Sequence, residues 1–225
     1  MINRPAYQKL KEELAPRGVK IIAISKRQPK EKINALYDEG HRDFGENLAQ
    51  ALTGRKESFA DKDINWHFVG HLQSNKAKYL APFVSMIHSV DSLKVLKEIN
   101  KQARKNERTI DCLMQVHIAD EETKFGLDPD ECKAILDDER FQGFDNVRIC
   151  GLMGMATLTE NVQKIRDEFK SLRHLFEKLK TSHFNNSPHF KELSMGMTSD
   201  YKIAVDEGST MVRIGTMIFG PRVQK

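Results

Sequence analysis

The sequence predicts a single-domain α/β protein, a (β/α)8 TIM barrel that takes up residues 1–225. Strand-like and helix-like segments alternate along the whole chain, and 225 residues are enough for one sizeable core. The segment 19–26, VKIIAISK, is almost continuously apolar and β-branched. Such a run is typical of a strand buried on both faces, as in a parallel sheet covered by helices.

Short apolar runs mark the predicted strands, and helical sequence follows them. The first helix, 5–15, opens at Pro5 and closes before Gly18, and the next opens at Pro29 and ends before Gly40. The predicted strands are 19–26, 41–45, 65–70, 83–88, 110–118, 146–153, 190–195 and 210–214. Further helices are predicted over 46–57, from Pro129 and over about 161–180, with a loop over 181–188. Eight such units imply a barrel.

Composition excludes several classes of protein. A net charge of +4, from 36 basic and 32 acidic residues, is too small and dispersed to indicate nucleic-acid binding. Neither a membrane span nor an apolar signal segment is visible, so we expect a cytoplasmic protein. Cys112, Cys132 and Cys150 are odd in number and far apart, which favours reduced thiols, the first and last of them in the core. No long apolar stripe marks the helices, which favours a monomer.

Lys26 ends the first predicted strand, and Pro29 follows it. In barrels and open α/β sheets, functional sites lie at the carboxyl ends of the strands. An amine partly withdrawn from water there can attack carbonyl groups, above all to form Schiff bases. From this segment alone, a lysine that merely reaches solvent is the simpler interpretation.

Glycine stands beside serine or threonine after the last two predicted strands, in SMGMTSD at 194–200 and RIGTMIFG at 213–220. Glycine there lets backbone amides approach an anion closely, as in the usual phosphate site of barrels. Each segment alone is also an ordinary tight turn. A strand-end lysine facing a phosphate site indicates a phosphorylated carbonyl compound, and pyridoxal 5′-phosphate fits best.

Motifs along essentially the whole chain resemble the pyridoxal phosphate homeostasis protein family. They are AISK at 23–26, FGEN at 44–47, WHFVGHLQSNK at 66–76, residues 117–126 ending KFG, GLMGM at 151–155, SMGM at 194–197 and RIGTMIFG at 213–220. The resemblance implies a barrel similar to the amino-terminal domain of alanine racemase. It also implies binding of pyridoxal phosphate without established turnover, and possible transfer of the cofactor to apo-enzymes that depend on it.

The same resemblance implies a set of cofactor-binding residues. They are Lys26 for the Schiff base; Ser194, Gly215 and Thr216 for the phosphate, with Thr198 or Ser199 nearby; Arg213 for the pyridine nitrogen; and Asn47 and Met153 beside the ring. Three features depart from the family pattern: a short first helix, the sequence LAQA at 48–51, and threonine rather than serine at Thr198. The second of these affects expected partner contacts rather than cofactor binding.

Other functions fit the sequence less well. A racemase-like enzyme dependent on pyridoxal phosphate needs a second base opposite the lysine, which alanine racemases take from a further domain, and the chain ends soon after Gly220. A lysine-dependent aldolase would explain Lys26 but not Arg213. His67 and His71 have the spacing of helical metal ligands but lie in a strand and a loop, so no metal site is expected. Ser194 lacks the nucleophile elbow of a hydrolase triad.

Overall fold

The computed structural model describes residues 1–121 and 125–221 and forms a closed barrel of parallel strands. Each strand pairs with its neighbours in the sequence, and the last pairs with the first. The predicted (β/α)8 barrel is therefore confirmed. The strands are β1 (Lys20–Ile24), β2 (Asp43–Glu46), β3 (Asn65–Phe68), β4 (Met86–Val90), β5 (Ile110–Val116), β6 (Val147–Gly154), β7 (Glu192–Met197) and β8 (Met211–Ile214).

Helices cover the outside of the barrel, and side chains at their first turns fix where several begin. Asn3, Ser92 and Asn161 each accept a hydrogen bond from a backbone amide three residues on, and Asp128 and Glu131 form a capping box. The helices are α1 (Arg4–Leu14), α2 (Lys30–Asp38), α3 (Ala49–Ser58), α4 (Ala77–Leu80), α5 (Leu93–Lys105), α6 (Pro129–Asp137), α7 (Glu139–Gln142), α8 (Val162–Ser182), α9 (Tyr201–Asp206) and α10 (Thr216–Phe219).

Two layers of apolar side chains hold the barrel together. The larger layer fills the space between sheet and helices, as Ala23 and Phe44 do. Alternate residues of the strands point inward instead and fill the barrel itself. The buried apolar side chains of that inner layer are Ile22, Met86, Leu113, Cys150, Met153 and Met211. Cys112, Cys132 and Cys150 are free and buried, and a core position was predicted for the first and last of them.

Paired charges fill the amino-terminal end of the barrel. Lys20 Nζ lies 2.8 Å from Glu192 Oε1, and Arg148 Nη2 lies 2.6 Å from Asp111 Oδ1. Asp111 and Arg148 lie on the neighbouring strands β5 and β6, whereas Lys20 on β1 reaches past β8 to Glu192 on β7; these residues stand at or near the starts of their strands. Because ion pairs occupy this end, we expect a ligand site at the carboxyl-terminal end.

Several predicted boundaries were wrong by a few residues. β1 ends at Ile24, so Lys26 lies in the turn after the strand. Glu46, predicted to open a helix, is the buried last residue of β2. The long helix α8 continues to Ser182, into the segment predicted as loop, because its apolar face keeps contact with the core as far as Leu179. Local pattern sets where such elements lie, and tertiary contacts set where they end.

Part of one predicted motif, the lysine at position 124 within residues 117–126, lies outside the described residues. Within the parts of the chain that the structure describes, none of the helices combines the length and apolar character that crossing a bilayer requires.

Candidate functional site

Lys26 lies two residues after the end of β1 and continues the series of alternate residues whose side chains point into the barrel. Ile22 and Ile24 belong to the group that fills the barrel, so the next residue of the same alternation, Lys26, stands at the mouth. Its side chain is partly buried. The chain then turns sharply, since Arg27 has a φ of 58°, in the left-handed region that side chains other than glycine seldom adopt. A strained backbone of this kind needs support from its surroundings.

Arg55 of α3 supplies that support. Its Nη2 donates to the carbonyl oxygens of Ser25 at 3.3 Å and Gln28 at 2.5 Å, on either side of Lys26. Its Nε lies 3.2 Å from Glu46 Oε1, which also accepts a hydrogen bond from Ser25 Oγ at 3.0 Å. Guanidinium and carboxylate thus clamp both ends of the lysine turn. We call Glu46 and Arg55 the turn brace.

Burial affects the charge of this brace. Glu46 is 1% exposed, and its desolvation raises the pKa of the carboxyl above the ordinary value, while the positive charge of Arg55 opposes the rise. Sequence reasoning missed both residues. Glu46 was assigned to a helix, and nothing in the local pattern indicated that Arg55 would reach across to the first strand.

The rim after β8 meets the lysine turn. Ile24, Lys26, Gln28, Gly215 and Thr216 line one small cavity. Among the residues predicted for the site, Lys26, Gly215 and Thr216 are thus brought together. Thr216 is exposed and opens α10 directly after Gly215, where its hydroxyl and the nearby amides can meet a ligand from solvent.

The rim after β7 contributes Thr198 and Ser199, in the turn that links the strand to α9. Asp200 fixes that turn, because its Oδ1 accepts a hydrogen bond of 2.5 Å from the amide of Met197. A cavity of about 550 Å³ lies over the ends of β6 and β7, with Ser199, Asp200 and Met155 among its lining residues. This volume is within the range of small-molecule sites.

Arg213 lies inside the barrel on β8 and is 5% exposed. Its Nη1 donates to the carbonyl oxygen of Ser194 at 2.7 Å and to Ser194 Oγ at 2.8 Å, and its Nη2 donates to the carbonyl oxygen of Gly154 at 3.0 Å. Burial lowers the pKa of the guanidinium to about 10, which leaves it charged at neutral pH. A cation is therefore fixed beneath the mouth.

The other predicted site residues lie at different depths. Ser194 is fully buried, and its hydroxyl contacts His88 as well as Arg213. Met153 is also fully buried, in the inner layer of the barrel. Asn47 is partly buried just after β2, against Gly70, where a Cβ would collide with the Asn47 carbonyl group. The observed contacts of Ser194 favour a role beside Arg213, whereas its predicted contact with phosphate stays a prediction.

His67 and His71, considered and set aside as metal ligands, point to different places. His67 lies inside the barrel against His88, whereas His71 is exposed at the rim, 2.9 Å from Asp91 Oδ2 and stacked on Phe125. Among the residues described, no group of three or more histidine, cysteine or carboxylate side chains is arranged to hold a metal ion.

Comparison with known families shows which class of domain this barrel belongs to. The family model described as the alanine racemase N-terminal domain matches residues 5–223. This chain, a closed barrel with a lysine just after its first strand, thus belongs to that class of domain. Alanine racemase from Bartonella henselae superimposes with a TM-score of 0.70 at 14% identity, over 93% of this chain and 56% of that one, which shows a common fold alone.

Closer relatives narrow the class. The pyridoxal phosphate homeostasis protein of Aquifex aeolicus is 40% identical over 213 residues, 93% of this chain and 91% of that protein. Its namesake in Escherichia coli is 32% identical over 214 residues, 92% of this chain and 88% of that protein. This chain belongs to the pyridoxal phosphate homeostasis protein family, as its motifs predicted. PipY of Synechococcus elongatus, solved with pyridoxal phosphate bound, has a TM-score of 0.87 at 33% identity, over 96% of this chain and 99% of that one.

Proposed function

We propose that this chain binds pyridoxal 5′-phosphate at the carboxyl-terminal mouth of its barrel and serves in the homeostasis of that cofactor. The observation that carries the proposal is that Lys26, Gly215 and Thr216 line one cavity in a chain of this family. When bound, pyridoxal phosphate supplies an aldehyde that a lysine amine can capture and release. Lys26 is the amine proposed for that attachment.

The residues at the mouth fit the chemistry of this cofactor. The turn brace holds the turn that carries the lysine. The hydroxyl groups of Thr216, Thr198 and Ser199 lie at the rim, where they can donate hydrogen bonds to a phosphate. Gly215 leaves a space beside Ile24 that a side chain would fill. In this proposal Asn47 and Met153 lie on the ring side of the site.

Arg213 is proposed to face the pyridine nitrogen. A guanidinium only donates hydrogen bonds, so a ring nitrogen opposite it must accept and stay unprotonated. An unprotonated pyridine withdraws electrons weakly, which disfavours transamination and weakens carbanion chemistry. We therefore propose that the chain holds the cofactor without appreciable turnover of amino acids, and that it does not function as a racemase.

The remaining parts of the proposal concern partners and place. Leu48, Phe125 and Leu158, which are 63%, 57% and 85% exposed, lie on loops that follow β2, β5 and β6, at the same end as the site. Exposed apolar side chains suit brief contact with an apo-enzyme that receives the cofactor. We infer a monomer that works in the cytoplasm, where the free thiols described above remain reduced.

Borohydride trapping tests the covalent site. We expect the purified protein, loaded with pyridoxal phosphate and reduced, to carry the cofactor's mass on the peptide that contains Lys26. Lys26→Ala should lose both the trapped mass and the bound chromophore, with the free energy of unfolding of the apo-protein almost unchanged, because the residue lies at the rim. The control is Lys30→Ala, an exposed lysine on the next helix. Trapping that persists in Lys26→Ala would refute the assignment.

A further inference from the structure

A row of polar side chains crosses the interior of the barrel and ends at Arg213. His67 Nε2 lies 3.2 Å from Asp43 Oδ1, and His67 Nδ1 lies 2.9 Å from His88 Nε2. His88 Nδ1 lies 2.9 Å from Ser194 Oγ, which lies 2.8 Å from Arg213 Nη1. We call these five side chains the interior relay. They come from β2, β3, β4, β7 and β8.

The two ends of the relay fix its first and last hydrogen bonds, and the direction of the two between them follows when every buried group keeps a partner. Arg213 can only donate, and the carboxylate of Asp43 can only accept. Donation therefore runs from Arg213 Nη1 to Ser194 Oγ, from the serine hydroxyl to His88 Nδ1, from His88 Nε2 to His67 Nδ1, and from His67 Nε2 to Asp43. Both imidazoles are then neutral and carry their proton on Nε2.

Other proton arrangements leave a buried group without a partner. If His67 carried its proton on Nδ1, His88 would have to donate from Nδ1 to Ser194 Oγ. The serine oxygen would then accept from both His88 and Arg213, and its own hydrogen would need an acceptor outside the relay. His67 Nε2 would also face the Asp43 carboxylate without a proton to donate. Leaving such groups unpaired inside a barrel is costly.

The surroundings of His88 favour its neutral form. Burial lowers the pKa of His88 well below its ordinary value, and the positive charges of His67, if protonated, Arg213 and Lys20 act in the same direction. At the far end, the carboxylate of Asp43 is 33% exposed and accepts a further hydrogen bond of 3.1 Å from Asn65 Nδ2. The relay thus connects a solvated anion to a buried cation.

We propose that His88 and Ser194 are positioning residues for Arg213, and that the interior relay fixes the orientation of the guanidinium from the opposite end of the barrel. His88 does this without touching Arg213, because it accepts the serine hydrogen and so turns the serine lone pairs toward Nη1. The consequence for bound cofactor, an altered environment of its ring nitrogen, rests on the proposed function. The directions of the hydrogen bonds in the relay do not depend on the proposed function.

The first test therefore uses the cofactor-free protein. Nitrogen-15 spectra of the histidine side chains at neutral pH should show both His67 and His88 as neutral rings protonated on Nε2. An Nδ1 tautomer or a doubly protonated ring at either position would overturn the proposal. This measurement gives an answer whether or not the chain binds pyridoxal phosphate.

The second test uses variants of β4 and β7. In the apo-protein, His88→Leu and Ser194→Ala should shift the side-chain NMR signals of Arg213, while His88→Asn, which can keep an acceptor near the position of Nδ1, should largely restore them. The matched control is Ser89→Ala, because Ser89 is also buried on β4 but its hydroxyl has no hydrogen-bond partner among the residues that the structure describes. Arg213 signals that stay unchanged in both relay variants, or move equally in Ser89→Ala, would refute the positioning role.

In loaded protein, His88→Leu should shift the absorption maximum of the bound cofactor and weaken its affinity by up to about tenfold, the upper end of the range for one lost hydrogen bond between neutral groups. His88→Asn should restore the wild-type spectrum. An unchanged spectrum in His88→Leu would contradict the effect on the cofactor. If wild-type protein binds no cofactor at all, the proposed function fails, and the measurements on apo-protein still decide the relay.

Discussion

Gly215 shows at the level of one residue how folding and binding make different demands. A Cβ added there would lie 3.4 Å from the carbonyl oxygen of Ile24 and 3.5 Å from its Cβ, which is ordinary contact. Its φ of −118° lies outside the left-handed region that favours glycine. The fold therefore does not require glycine at this position. We infer that the need comes from a ligand that approaches the backbone at the rim.

Gly215→Ala should separate the two demands. We expect its free energy of unfolding to stay within about 0.5 kcal/mol of wild type, while its affinity for pyridoxal phosphate falls at least tenfold, because a methyl group keeps the phosphate from the backbone amides. Thr198→Ala removes one hydroxyl and should cost about 1 kcal/mol of binding. Titration with pyridoxal phosphate and with pyridoxal measures both effects.

The control for this comparison is Gly54→Ala, since Gly54 lies in α3 with open space around it. That variant should be more stable than wild type by up to about 1 kcal/mol and should bind the cofactor normally. Equal affinities of the wild-type protein for pyridoxal and its phosphate would mean that no phosphate site exists at this rim.

At the level of elements, the turn after β1 depends on a helix that follows the next strand. α3 carries Arg55 back over the strained turn at Arg27, and Glu46 at the end of β2 holds the guanidinium in place. The turn after β1, the end of β2 and α3 thus act together to present one lysine. The arrangement explains why a polar pair is kept between sheet and helix, where burial alone is unfavourable.

Removal of Arg55 should destabilise the protein in a way that depends on pH. Arg55→Ala leaves the carboxylate of Glu46 buried without its cation, at a cost of about 3 kcal/mol near neutral pH. Burial already holds the pKa of Glu46 above its ordinary value, and loss of Arg55 raises it further. Between the unfolded and folded pKa values the folded state binds the extra proton, so stability falls as pH rises through that window.

Urea unfolding of wild type and Arg55→Ala at pH 5 and pH 8 checks this expectation. The free-energy penalty should be smaller at pH 5, where Glu46 is more easily protonated. Adding Glu46→Gln to the variant should reduce the penalty at pH 8 and remove most of its dependence on pH. A penalty that is equal at both pH values, in both backgrounds, would show that the ion pair is not the cause.

At the level of the whole molecule, the two ends of the barrel have different tasks. The amino-terminal end is filled by the pairs Lys20 with Glu192 and Asp111 with Arg148, whereas the carboxyl-terminal end has a cavity of about 550 Å³ and exposed apolar side chains on its loops. An open mouth of this kind suits a protein that exchanges a ligand. Chemistry on a carbanion, by contrast, calls for exclusion of water.

We therefore expect loaded wild-type protein to show no appreciable racemisation or transamination of a panel of L- and D-amino acids. Chirality and keto-acid formation are measured over time, with Lys26→Ala as the background control. Cofactor released to an excess of an apo-enzyme, without such turnover, would support homeostasis. Robust turnover that disappears in Lys26→Ala would instead establish an enzyme.

The proposed monomer is a separate expectation. Light scattering on the same samples tests it.

Much of the fold could be predicted from the chain alone, because periodicity is a local property. The apolar run at residues 19–26 predicts a strand without reference to distant residues. In the same way, Pro5 and Pro29 predict helix starts, and Gly18 predicts a turn. The boundaries at Ile24, Glu46 and Ser182 could not be predicted so well, because contacts with other elements decide them.

For the candidate site, the sequence by itself determined the class of barrel, a lysine at the end of the first strand, the glycines of the rim and the family, since each is written in a contiguous motif. Only the tertiary structure decided that Arg55 and Glu46 brace that lysine, and that Ser194 lies inside the barrel beside His88 and Arg213. The physical reason is closure: joining β8 to β1 brings together inward-facing residues from distant strands, and no local pattern records which of them meet.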